Sequence, residues 1–129
     1  MRKTQILFVL ILALLITGSA AVFAGGGDWY IGDRVLVDWS GDSYWYPATI
    51  VDLADGEYFV VFDDGDREWV YEDTIAPDDL MAGDEIEGNW EGGGVYYSGV
   101  IAERIGDAVY IEYDDGDTET TTVGYLRVE

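Results

Sequence analysis

A shift of 51 residues lays one half of this chain over the other without a gap, residues 32–75 on residues 83–126. Of the 44 aligned pairs, 11 are identical: Gly32/Gly83, Asp33/Asp84, Trp39/Trp90, Gly41/Gly92, Tyr46/Tyr97, Ile50/Ile101, Asp63/Asp114, Asp64/Asp115, Gly65/Gly116, Asp66/Asp117 and Glu68/Glu119. Several other strand positions exchange like for like, as in Val35/Ile86, Val60/Ile111, Phe62/Tyr113 and Ile75/Leu126. Self-similarity at a fixed period constrains the fold more than composition does, because each copy must form the same unit. The chain is therefore read as two copies of one small module. Each copy keeps a Trp, a Tyr, a Phe or Tyr, and an acidic Asp-Asp-Gly-Asp turn. Those residue types together make pockets for cations.

Residues 1–24 stand outside this pattern. Arg2 and Lys3 make a positive start, residues 6–16 are 11 uninterrupted apolar residues, and Val22-Phe23-Ala24 precedes Gly25 with small residues at the two positions that matter for cleavage. This is the pattern of a secretory signal peptide removed after Ala24. An apolar helix of that length spans about 16 Å, short of the ~30 Å hydrocarbon core, so a stable membrane anchor is not expected. The protein is predicted to be exported, to the periplasm or outside the cell. Gly25-Gly26-Gly27 supplies a flexible spacer over residues 25–28.

The chain has 27 acidic residues against 6 basic ones, a formal charge of −21. Removing Arg2 and Lys3 leaves four Arg against the same 27 acids, a charge of −23. Such a field repels nucleic acids and anionic lipid headgroups, and it attracts cations and basic peptides. The same charge also keeps an exported protein soluble, which asks nothing of any particular site. There is no Cys, so the fold must stand on its core. One copy of about 50 residues would be marginal alone. The two copies are expected to share an interface.

In the first copy, residues 34–39 alternate, with Val35, Val37 and Trp39 on one face. Residues 44–52 group Tyr46, Ala48 and Ile50, and residues 57–62 group Tyr58, Val60 and Phe62. Asp55-Gly56 and Asp64-Gly65 mark tight turns, since Gly accepts a positive φ. The second copy repeats the pattern over 85–90, 95–104, 108–113, 117–122 and 124–127. Pro47 predicts an edge or a bulge within its strand. No helical period is sustained after residue 24. Short curved strands at this spacing predict an all-β protein, two tandem small SH3-like barrels after the signal peptide, over residues 29–77 and 80–129.

The pattern of Trp39, then Tyr46 in YWYPATI, then Phe62 in VVFDDGDRE resembles a Tudor domain. Trp90, Tyr97 in VYYSGVI and Tyr113 in IEYDDGDTE repeat it. The resemblance covers both copies and is to the tandem Tudor readers of methylated lysine and the wider Tudor and Agenet group. It implies a bent five-stranded barrel per copy and an aromatic cage for a methylated lysine or arginine. By position, Trp39, Tyr46 and Phe62 would wall the first cage, with Asp64 as the acidic partner of an ammonium N–H. Trp90, Tyr97, Tyr113 and Asp115 would form the second. The family often places another aromatic just after Asp-Asp-Gly, where this chain has Asp66 and Asp117. Three walls and an added carboxylate favour a ligand that still has protons to donate. Chromatin readers are nuclear, whereas this chain is expected to be exported.

A second reading of the same rings stands beside the first. Small barrels bury large aromatics to fill their cores, and Trp39 and Trp90 continue the apolar faces of their strands. The acidic turns also serve as plain hairpin chemistry. After residue 24 there is no His, Cys or Lys, which removes most nucleophiles, general bases and soft-metal ligands. No enzyme activity, cofactor or dedicated metal site is expected. The leading expectation is a binding module for a cationic peptide or methylammonium-type ligand, without direct nucleic-acid binding. The alternatives are an adaptor that packs its barrels against another envelope protein, and an acidic binder of divalent cations such as calcium.

Overall fold

The computed structural model describes residues 29–129 except Ser40. The expected signal peptide and spacer, residues 1–28, lie outside the described residues. The first repeat contains β1 (Arg34–Asp38), β2 (Trp45–Ala54), β3 (Glu57–Phe62), β4 (Arg67–Tyr71) and β5 (Ile75–Pro77). The second contains β6 (Glu85–Asn89), β7 (Tyr96–Ile105), β8 (Ala108–Tyr113), β9 (Thr118–Thr122) and β10 (Leu126–Arg127). Single 3₁₀ turns lie at Glu72–Thr74, Trp90–Gly92 and Val123–Tyr125. Among the described residues there is no α-helix.

Each repeat forms one antiparallel five-stranded sheet, in the order β4-β3-β2-β1-β5 and β10-β6-β7-β8-β9. The expected all-β fold of two small curled barrels is what the chain adopts. The long second strand of each repeat does the curling. Its register shifts between Ile50 and Asp52 in β2, and between Ile101 and Glu103 in β7. A bulge there bends the strand so that it pairs with one neighbour before the bend and the other along its length. The 51-residue period extends to single bonds. Gly32 N–H donates to the Ile50 carbonyl at 2.8 Å, and Gly83 N–H to the Ile101 carbonyl at 2.8 Å. Both glycines have φ of 98°, which a side chain would strain.

Pro47 lies in β2, a central strand, but before the β2–β3 ladder, which begins at Ala48. Its carbonyl accepts from Asp63 N–H at 3.1 Å. A residue's N and C=O face the same side of an antiparallel strand. The missing N–H therefore faces the Asp63 turn and not β1, so no ladder bond is lost.

Alternation fills two cores. The first gathers Val35, Val37, Ala48, Ile50, Tyr58, Val60, Phe62, Val70 and Ile75. The second gathers Leu80, Ile86, Ile101, Val109, Ile111, Tyr113, Val123 and Leu126, and it is completed from the first repeat by Leu36. Leu36 points away from Val35 and Val37 on β1, so one strand serves both cores. Trp45 also packs on the second core, and its backbone bridges Val128 through bonds of 2.7 and 3.0 Å. The repeats share an interface, as the small size of each core demands. Arg104 secures the junction with two bonds to Asp78 (2.8 and 3.0 Å) and one to the Leu80 carbonyl (3.0 Å).

Candidate functional site

In the second repeat, Trp90, Tyr97, Tyr113, Asp115 and Asp117 line one cavity of about 170 Å³. β6 ends at Asn89 and delivers Trp90, β7 carries Tyr97, and β8 ends on Tyr113. The two carboxylates stand in the turn that follows. The Trp90 ring meets Tyr113 edge to face, with centroids 5.5 Å apart and planes at 76°. Tyr97 is 50% exposed, whereas Tyr113 is buried and forms the floor.

Glu119 holds this constellation together. One carboxylate oxygen accepts from the Tyr113 hydroxyl at 2.7 Å. The other accepts from the backbone N–H of Glu91 at 2.8 Å. A single side chain thus ties the floor of the cavity to the loop that carries Trp90. That loop needs the tie, because Glu91 sits at φ 52°, a left-handed conformation that costs energy in a residue with a side chain. Gly94 N–H adds a bond to the Asn89 side chain at 2.6 Å. Burial, then the Glu119 bond, then the charges of Glu119 and Asp115 push the Tyr113 hydroxyl well above the usual phenol range.

The first repeat distributes its corresponding residues differently. Trp39 is 39% exposed and meets Tyr46 edge to face at 6.3 Å and 86°. Tyr46 donates its hydroxyl proton to Asp42 at 2.9 Å and accepts from Arg127 at 3.3 Å. Burial raises its pKa, the Arg127 bond opposes that rise, and Asp42 reinforces it. Phe62 is only 4% exposed and belongs to the first core, against which Tyr46 packs. Asp64 lines a different cavity, of about 310 Å³, with Asp63 and with Asn89, Tyr96, Thr122, Gly124 and Tyr125 of the second repeat. Copy two gathers its predicted set around one space; copy one gathers Trp39 and Tyr46, and turns Phe62 and Asp64 elsewhere.

Both acidic turns also carry hairpin chemistry. Asp64 accepts from Asp66 N–H at 3.0 Å, and Asp115 from Asp117 N–H at 2.9 Å. Among the described residues, no group of three or more acidic side chains is placed to hold a metal ion.

Sequence reasoning missed a filled cation site at the repeat junction. The Arg127 guanidinium lies between two rings, 3.8 Å from the Tyr44 centroid and 4.0 Å from that of Tyr96. It also pairs with Glu87 at 2.8 Å. Position by position, Tyr44 faces Val95, Trp45 faces Tyr96 and Ala76 faces Arg127 in the 51-residue alignment. The trio breaks the internal repeat, so a search for what the copies share passes over it.

The crystal structure of the Crb2 tandem Tudor domains superimposes on this chain with a TM-score of 0.54 at 22% identity, over 76% of this chain and 78% of that one. The chain has the tandem Tudor fold. Two tandem Agenet structures also match, more loosely. The Arabidopsis thaliana AGDP1 AGD34 structure has a TM-score of 0.37 at 19% identity, over 77% of this chain and 81% of that one. The ADCP1 tandem Agenet domain 3-4 structure has a TM-score of 0.36 at 18% identity, over 77% and 79%. No protein-family model and no curated protein matches the chain. Within the tandem Tudor fold, the second repeat brings Trp90, Tyr97 and Tyr113 together with Asp115 and Asp117 around one open space.

Proposed function

We propose that the protein is a non-enzymatic binding module that holds a cationic group, a methylated or otherwise protonated ammonium, in its second repeat. Trp90, Tyr97 and Tyr113 are the walls, and Asp115 and Asp117 stand at the mouth. The observation that carries this reading is that these five side chains line one cavity. A methylated ammonium is large, weakly hydrated and positive, so ring faces attract it by about 0.5–2 kcal/mol each. Three faces support affinities from roughly millimolar to micromolar. Two carboxylates favour a nitrogen that keeps a proton, because N–H···O⁻ bonds add to the ring contacts. The net charge of −21 draws such a ligand, or the basic peptide that carries it, toward the site. In the first repeat Trp39 and Tyr46 alone would offer ring faces to a weaker site of the same kind, since Phe62 is buried in the core and Asp64 lines the inter-repeat cavity.

Export belongs to the same proposal and rests on residues 1–24. Mass spectrometry of the secreted protein is expected to find Gly25 at the N-terminus; a secreted species that still begins at Met1 refutes it.

The binding test is a titration followed by NMR. Monomethyl-, dimethyl- and trimethyl-lysine, choline and spermidine are added to the protein, and the Trp indole signals are followed. The expected result is a saturable shift at Trp90, stronger for dimethyl- than for trimethyl-lysine. If no methylammonium moves Trp90 at millimolar concentration, the reading is wrong.

A further inference from the structure

The outer face of the first sheet differs from that of the second in a way the cavity does not explain. β3 and β4 pair Phe59 with Trp69 and Glu57 with Tyr71. Their neighbours Tyr58, Val60 and Val70 point into the core, so all four of these face outward. The Phe59 and Trp69 rings lie 5.0 Å apart, tilted by 45°. Trp69 is 43% and Tyr71 is 63% exposed. The corresponding positions of the second repeat hold Tyr110, Thr120 and Thr122. The same barrel therefore folds with threonine at two of these places, and its stability does not call for the rings. A contiguous exposed aromatic patch on a soluble fold marks an interaction surface.

Three further observations define what covers it. β4 ends its sheet, and its outer backbone edge pairs with no strand among the described residues. An open edge of this kind accepts an added extended segment. Carboxylates surround the rings: Asp52 pairs with Phe59, Glu57 pairs with Tyr71, and Glu72 and Asp73 follow Tyr71 in the chain. Against them β3 and β4 carry one basic residue, Arg67, while Arg34, farther across the same face, is paired with Asp63. Finally, a charge of −21 on each molecule opposes pairing with a second copy.

We propose that this face docks an extended, basic segment of another protein along β4. The side chains that this segment turns to the same face, two residues apart, are apolar beside Trp69 and Phe59 and cationic beside Tyr71 and the surrounding carboxylates. The duplication is thus divided: the second repeat holds a single cationic group, and the first holds a stretch of basic chain.

The test uses a short peptide in which valine and arginine take turns at every second position with threonine between them (the arginine–valine peptide), so that both kinds of side chain share one face of the strand. The controls carry glutamate in place of arginine (glutamate–valine) or glycine in place of valine (arginine–glycine). The comparison variant is Trp69→Thr with Tyr71→Thr, which copies the residues of the second repeat. Threonine favours strands, so its melting temperature is expected to match that of the unaltered protein. The arginine–valine peptide is expected to bind, to shift the Trp69 indole signal, and to lose at least about tenfold in affinity in the threonine variant. It is expected to bind the Trp90→Ala variant as well as the unaltered protein. Equal binding by the threonine variant, or loss of binding only in Trp90→Ala, overturns the proposal. So does equal binding of the arginine–glycine or glutamate–valine peptide. Sedimentation showing a dimer that the threonine variant loses would reassign the face to self-association. Saturable binding of a neutral oligosaccharide at Trp69 without peptide binding would reassign it to sugars.

Discussion

The hydroxyl of Tyr113 occupies the space that a side chain at Gly88 would need; a Cβ built on that glycine falls on it. In the first repeat the same two positions hold Val37 and Phe62. The pair has changed together: a small partner accompanies the ring with a hydroxyl, and a larger one accompanies the ring without. The exchange has a consequence for the site. Only the ring with a hydroxyl can donate to Glu119, and Glu119 in turn holds the Trp90 loop.

Gly88→Val is therefore expected to cost about 1–3 kcal/mol, the usual penalty for overpacking a filled core. Gly88→Val combined with Tyr113→Phe recreates the first repeat's pair and is expected to recover much of that loss. Denaturant melts of the two single variants and the double variant measure the coupling. Strict additivity would show that the two positions do not share space.

The two equivalent tryptophans are expected to differ. Trp90 packs on the second core and on Tyr113, so Trp90→Ala should cost about 3 kcal/mol, near the lower end for a core aromatic. Trp39 leans on Tyr46 at the edge of its barrel, and Trp39→Ala should cost about 1 kcal/mol. Trp90→Phe keeps an aromatic face and should retain most of the stability while weakening methylammonium binding, since Trp gives the best cation–π face. Melts and calorimetric titrations of the three variants test this. Equal losses at Trp39 and Trp90 would mean that the two loops hold their rings alike.

Much of the fold was legible because the sequence repeats itself. Residues 57–62 were read as a strand and β3 spans Glu57–Phe62; period-2 alternation bounded by Asp-Gly turns leaves little freedom. That Trp90, Tyr97, Tyr113 and Asp115 border one space was legible for the same reason, since they sit near strand ends or in the turn after β8, and the order of those strands follows from the hairpins. What a single-repeat reading cannot reach is the junction. Leu36 stands on the face of β1 opposite Val35 and Val37, and it is buried in the other repeat's core. Asp64 matched Asp115 in sequence, yet it faces the inter-repeat space because only one side of the first barrel abuts the second. Period and pattern describe each barrel; the contact between barrels is made in part by unrepeated residues such as Trp45 and Arg127.

Tyr113 makes stability depend on pH in the alkaline range. Its hydroxyl is held above its ordinary pKa by burial and by the Glu119 bond. The folded state then keeps a proton that the unfolded chain releases near pH ~10. Stability from this group is fully present below that pH and falls as pH rises beyond it. The melting temperature is expected to drop more steeply above pH ~10 in the unaltered protein than in Tyr113→Phe. Identical alkaline slopes in the two proteins would mean that Tyr113 ionises as readily folded as unfolded.

Arg127 is expected to be the lock between the repeats. Its guanidinium is stacked between Tyr44 of one repeat and Tyr96 of the other, paired with Glu87 and bonded to the Tyr46 hydroxyl. Burial disfavours its charged form, but the bonds to Tyr46 and Glu87 outweigh that, so its pKa stands above the usual value. Two ring faces and one carboxylate act on a planar cation that presents donors at its edge and flat faces to the rings. Lysine carries the same charge without the plane, so Arg127→Lys should recover less than half of what Arg127→Ala loses. The loss in Arg127→Ala should be about 2–3 kcal/mol, the scale of a partly desolvated cation between two rings plus one ion pair. The decisive comparison is a cycle with Tyr44→Leu and Tyr96→Leu. If the stack holds the repeats together, removing Arg127 should cost far less once both rings are gone. An equal cost with and without the rings would assign the effect to the bonds with Glu87 and Tyr46.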